Sequence, residues 1–108
     1  MNLPVYVHPR VEEFLDENAS WWGENHSSEQ AERWYDGFVR AILSLEENPQ
    51  SRPLAAENDE FPFEMRELHF GIGNRPTHRA LFTIRPDKVY VLMLRHAAQA
   101  PVTIEDLE

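Results

Sequence analysis

The chain has 108 residues, 42% of them hydrophobic, no cysteine and a formal charge of −9 at pH 7. That length supports one hydrophobic core, so a single domain over 1–108 is expected. No apolar run approaches the roughly 20 residues that cross a bilayer, and no basic stretch followed by an apolar one opens the chain, so neither a membrane span nor export is expected. The missing cysteine excludes disulfides, thiol nucleophiles and cysteine zinc sites, and fits the reducing cytoplasm taken as the expected location.

In chain order, Leu3 to Val7 predicts a short first strand, because Val5, Tyr6 and Val7 suit a pleated surface. Pro9 stands where a helix favours its first residue. Val11, Phe14, Leu15, Asn18/Ala19 and Trp22 recur at spacings of three and four, which predicts a helix over 9–24. Ser27 with Gln30 forms a capping-box pattern, and Glu29 and Glu32 suit the positive end of a second helix. Its stripe is Ala31, Trp34/Tyr35, Phe38, Ile42 and Leu45, which predicts a helix over 28–47 stopped by Asn48-Pro49. Gly37 inside it costs about 1 kcal/mol relative to Ala. A short link between two amphipathic helices predicts an antiparallel hairpin, with Trp21, Trp22, Trp34, Tyr35 and Phe38 as its packing.

Residues 49–62 hold three prolines and no periodicity, so they predict a long loop suited to partial disorder or a binding role. Three strands are predicted at 63–71, 77–85 and 88–96, and the short turns between them require antiparallel neighbours. In the middle strand His78, Ala80, Phe82 and Ile84 share one face, and Thr77, Arg79, Leu81, Thr83 and Arg85 share the other. The expected fold is α+β: an N-terminal strand and a helical hairpin packed on an antiparallel β-sheet, whose second face is partly open.

Charge is unevenly spread. Residues 1–60 hold thirteen acids and four arginines, whereas residues 61–104 hold three acids against Arg66, Arg75, Arg79, Arg85, Lys88 and Arg95. An Arg fork pairs bidentately with phosphate or carboxylate, so each strand arginine is either an anion contact or the partner of a nearby helix acid. The chain lacks a phosphate-cradling glycine loop, a helical His pair at metal spacing and a nucleophile elbow. His69, His78 and His96 lie on neighbouring strands, but nothing fixes their relative geometry, so no metal or cofactor is expected. Asp59, Glu60, Glu64 and Glu67 scatter over a loop and both faces of a strand, and they read as solvated.

The element order, together with Arg-Glu-Leu-His-Phe-Gly (66–71), Thr-His-Arg-Ala-Leu-Phe-Thr-Ile (77–84) and Val-Tyr-Val-Leu-Met-Leu-Arg-His (89–96), resembles the RelE/ParE toxin superfamily of bacterial type II toxin–antitoxin modules, the plasmid-stabilisation-like proteins. The resemblance covers nearly the whole chain and is strongest over 65–99. It implies a toxin neutralised by a cognate antitoxin encoded beside it. RelE-like members cleave messenger RNA on the ribosome, and ParE-like members inhibit DNA gyrase without being ribonucleases. For the first branch the resemblance implies catalytic roles for Arg66, Arg79 and His96, with Arg95, Arg85 and Arg75 as binding groups. Metal-free cleavage by a 2′-hydroxyl needs a base, an acid and cations for the phosphorane, which two arginines and a histidine could supply.

The acidity of the chain and its single lysine, Lys88, weigh against docking on ribosomal RNA. Three readings stay open: a ribosome-dependent messenger RNA endonuclease, a non-enzymatic inhibitor of an essential process, and a degenerate member that only binds protein. Two expectations are testable by geometry. Arg66, Arg79 and His96 should converge on an open surface, and Arg79 should be an exposed strand residue, free to meet an antitoxin carboxylate and dispensable for folding. The antitoxin should also cover apolar surface on the hairpin or sheet edge.

Overall fold

The structure is a computed structural model and describes residues 2–71, 76–97, 103 and 106. Its elements are β1 (Val5–Val7), α1 (Pro9–Asn25), α2 (Ser28–Leu43), three short 3-10 turns at Ser44–Glu46, Pro49–Ser51 and Asn58–Glu60, then β2 (Arg66–Phe70), β3 (His78–Ile84) and β4 (Val89–His96). The helix starts follow local chemistry. The Ser27 hydroxyl accepts a hydrogen bond from the Gln30 N–H at 3.1 Å, and the His8 imidazole accepts one from the Arg10 N–H ahead of Pro9. Asn48 takes the left-handed conformation (φ 51°) just before Pro49, which ends the helical region. Among the described residues no helix is long and apolar enough to cross a membrane.

The three C-terminal strands form the expected antiparallel meander, and β1 adds in parallel to β4, so the whole sheet is mixed with order β1-β4-β3-β2. The hairpin covers one face. Val11 and Leu15 from α1 and Trp34, Phe38 and Ile42 from α2 meet Leu68, Ala80, Phe82, Val89, Val91 and Leu94 from the sheet. Gly37 permits a close approach: a methyl group there would come within 2.9 Å of the Phe70 ring, which stacks on Phe38.

Three expectations change. The helix expected over 28–47 is α-helical only to Leu43 and tightens into the 3-10 turn Ser44–Glu46. The strand predicted from residue 63 starts at Arg66, because the residues before it are tied to the preceding loop: the Met65 N–H donates to the Asn58 side chain and its carbonyl accepts from the Ala55 N–H. That loop is also structured. It pairs with the β2 edge at Leu54 and Arg66, and it lays Ala55, Phe61 and Met65 on Leu81 as a second apolar cluster. The face expected to be partly open is therefore covered over much of its area, which also shields an edge strand. A bulge opposite Leu81 and Phe82 brings both Leu92 and Met93 against this cluster.

Candidate functional site

Arg79 lies at the centre of the covered face. Its guanidinium makes two hydrogen bonds to the Glu57 carboxylate, Nη1 to Oε1 at 2.6 Å and Nη2 to Oε2. The Glu57 side chain is fully buried and that of Arg79 is 9% exposed. Glu67 stands 3.9 Å from the same guanidinium, accepts from the Ala56 N–H and pairs with His69. The hydrogen bonds it donates to Glu57 chiefly, then the charges of Glu57 and Glu67, outweigh burial and raise the pKa of Arg79 above its ordinary value. The expectation of an exposed, unengaged Arg79 is thus corrected: loop residues 54–65 bring an internal carboxylate to the place proposed for a phosphate or an antitoxin acid.

The other candidate residues do not join it. Arg66 is opposite Phe82 in register, on the hairpin side of the sheet edge, and its guanidinium donates to the Gln50 and Arg52 carbonyls and to Glu64. His96 pairs in register with His78 and the two rings lie 4.3 Å apart, next to Phe14 on the hairpin side. Arg79 pairs in register with Arg95 on the opposite side. Direct cross-strand partners share a face, so Arg79 and His96 point away from each other through the sheet. The expected convergence of Arg66, Arg79 and His96 is therefore overturned by strand register. Arg85 lies over the Phe63 ring at 5.4 Å, and Arg75 lies outside the described residues. His69 is on the outer face and His78 and His96 on the inner, so the three histidines do not meet; among the described residues no group of three potential ligands could hold a metal ion.

What the fold does assemble is a groove of about 480 Å³ between the C-terminal half of α1 and the ends of β3 and β4, lined by Glu17, Asn18, Trp21, Trp22, Thr77, His78 and His96. Trp21 and Trp22 meet edge-on at 5.5 Å, and His26 packs within 5.4 Å and 4.6 Å of the two rings. His78 forms the floor. It is 2% exposed, surrounded by Phe14, Trp34 and Phe38 and bonded through Nδ1 to the Thr77 hydroxyl. Burial chiefly, and His96 secondarily, lower its pKa from 6.5 to about 4, so it is neutral at pH 7.

Sequence reasoning missed two features of these sites, and only one of them left a local signal. Glu57 sits in an aperiodic loop, and nothing nearby marks it as an acid to be buried. Trp21 carried a usable signal: adjacent helix positions differ by about 100°, so Trp21 and Trp22 cannot both face the core. The structure leaves Trp21 51% exposed while Trp34 and Phe38 are buried.

Comparisons with known proteins agree with this architecture. The profile described as the ParE toxin of the type II toxin–antitoxin system, parDE, matches residues 5–101. No curated protein matches the chain. Among solved structures, a chain described as belonging to the chromosomal ParDE toxin–antitoxin system from P. aeruginosa superposes with a TM-score of 0.70 at 16% identity, covering 87% of this chain and 95% of that one. At that identity the superposition speaks for the fold alone, while the profile spans β1 through β4. The chain belongs to the ParE toxin family of type II toxin–antitoxin systems.

Proposed function

We propose that this chain is a toxin that arrests growth by binding a protein target, DNA gyrase in the manner implied by its family, rather than by cutting RNA, and that a cognate antitoxin neutralises it. The observation that carries this reading is the burial of Arg79 in its bidentate pair with Glu57, on the face opposite His96. A phosphorane needs cations and a proton carrier around one point in space. Arg66 is bonded to loop carbonyls, Arg79 to an internal carboxylate, and His96 lies across the sheet from Arg79. The charge of −9 is likewise unfavourable at a polyanionic surface.

Protein binding is favoured by the remaining apolar surface. Tyr6, Trp21 and Leu43 stay 56%, 51% and 55% exposed, on β1 or the hairpin. Val5, Val7, Leu15, Tyr35, Val39, Ile42 and Leu43, with Glu12 among them, line a trough beside the β1 edge. The test is induced expression followed by pulse labelling. Thymidine incorporation should fall before methionine incorporation, purified chain should inhibit gyrase supercoiling, and transcripts should remain intact. Transcript cleavage by the native chain that is lost in His96→Ala would overturn the reading.

A further inference from the structure

We propose that the groove at the end of α1 is a cation subsite that seats an arginine side chain of the antitoxin, its guanidinium against Trp21 and Trp22 and its charge met by Glu17. This rests on the antitoxin reading above and supplies the chemistry of one contact within it.

Helical spacing builds the groove wall. Glu17 and Trp21 are four residues apart on α1, as are Asn18 and Trp22, so a carboxylate and an amide each stand one turn from an indole on adjoining rows. The Asn18 amide donates one N–H to the Phe14 carbonyl at 2.9 Å, which fixes the amide and leaves its oxygen as an acceptor for a ligand. Glu17 is exposed, and the lining includes no lysine or arginine. The imidazole floor at His78 is neutral at pH 7 and does not repel a cation.

The occupant follows from complementarity. An anionic side chain would meet Glu17 and a hairpin whose residues 9–47 carry ten acids against three arginines. A purely apolar one would desolvate Glu17 without replacing its lost water contacts. A guanidinium satisfies both halves of the wall: its flat, weakly hydrated face suits an indole, the best aromatic partner for a cation, and its N–H groups remain for the carboxylate and the Asn18 oxygen. The ammonium of lysine is a more strongly hydrated point charge and would lose more on leaving water. The polarity is opposite to that expected for an antitoxin acid at Arg79, a position that Glu57 already fills.

The test uses the folded native chain and two small probes, N-acetyl-arginine amide and its uncharged isostere N-acetyl-citrulline amide, with the indole N–H signals of Trp21 and Trp22 followed by NMR. The arginine probe should shift both signals and the citrulline probe neither. Trp21→Ala should remove the response of the Trp22 signal to the probe, and Glu17→Gln that of both signals. In the complex with the neighbouring-gene antitoxin, Trp21→Ala should weaken binding about tenfold, and Glu17→Gln should weaken it less while flattening its salt dependence. Thermal unfolding of Glu17→Gln should match the native chain, since Glu17 is exposed, and Trp21→Ala should remain folded with a lower midpoint, since about half of Trp21 packs on Trp22 and His26. Equal shifts from the two probes, or an antitoxin that binds both variants with native affinity, would overturn the subsite while leaving neutralisation intact. A native chain that binds no neighbouring product yet responds selectively to the arginine probe would overturn the neutralisation reading and the proposed occupant with it.

Discussion

Removing the Arg79 guanidinium should unfold this protein far more readily than a surface substitution would. Glu57 is fully buried and bonded through both oxygens to Arg79. Arg79→Ala leaves that carboxylate in the second apolar cluster, and loss of one member of a buried pair typically costs about 3–5 kcal/mol. Total stability for a domain of this kind is about 5–15 kcal/mol, so the loss is a large fraction of it. For a chain of about 100 residues each kcal/mol moves the midpoint by roughly 4–8 °C, so a fall of more than about 12 °C is expected. Glu57→Ala should be comparably harmful. The double variant Glu57→Leu/Arg79→Met should regain most of the loss, because it removes both desolvated charges and keeps their volume. Urea unfolding followed by circular dichroism measures all four proteins, and adding Glu57→Ala/Arg79→Ala closes the double-mutant cycle that isolates the coupling. If Arg79→Ala costs less than about 1 kcal/mol, as exposed arginines do, the pair does not hold the loop to the sheet and the structural assignment of Arg79 fails. The same series bears on toxicity: a folded double variant that still arrests growth would show that the Arg79 charge is not required for action.

His78 should make stability fall in mild acid. Its folded pKa of about 4 lies below the ordinary 6.5, so between those values the unfolded chain takes up a proton that the native state refuses. Stability should decline as pH drops through that window, by up to about 3 kcal/mol, and His78→Phe should remove this component in a pH series of urea unfolding. Gly37→Ala gains about 1 kcal/mol of helix propensity but drives a methyl group to 2.9 Å from the Phe70 ring. Overpacking of about 1–3 kcal/mol should outweigh it, and a higher melting temperature would refute that balance. Ser27→Ala should lose about 1 kcal/mol by removing the cap on Gln30, whereas Ser28→Ala, one residue inside α2, should stay near neutral in the same denaturation assay.

Helices, strands and the meander were legible because each rests on local periodicity. The stripe from Trp34 to Ile42 is buried as the 3.6-residue period requires, and the alternation of β3 separates Ala80 and Phe82 from Leu81 and Arg79 onto the two apolar clusters. The pairing of β1 with β4 was not legible, since three residues carry no register information of their own and the contact spans most of the chain. The candidate site was legible only as residue types. Arg66, Arg79 and His96 were identifiable as functional groups, but their spatial relation depends on which residues stand opposite one another and on what the loop covers.

By itself the sequence determined an α+β fold with an acidic hairpin ahead of an arginine-rich sheet, because composition and short-range spacing act within a few residues of one another. Only the tertiary structure decided what those arginines do. Register set Arg79 and His96 on opposite faces, and the aperiodic segment carrying Glu57 folded back over the sheet and buried its carboxylate on Arg79. A buried charge requires a partner wherever in the chain that partner lies, and no local pattern records a partner twenty-two residues away.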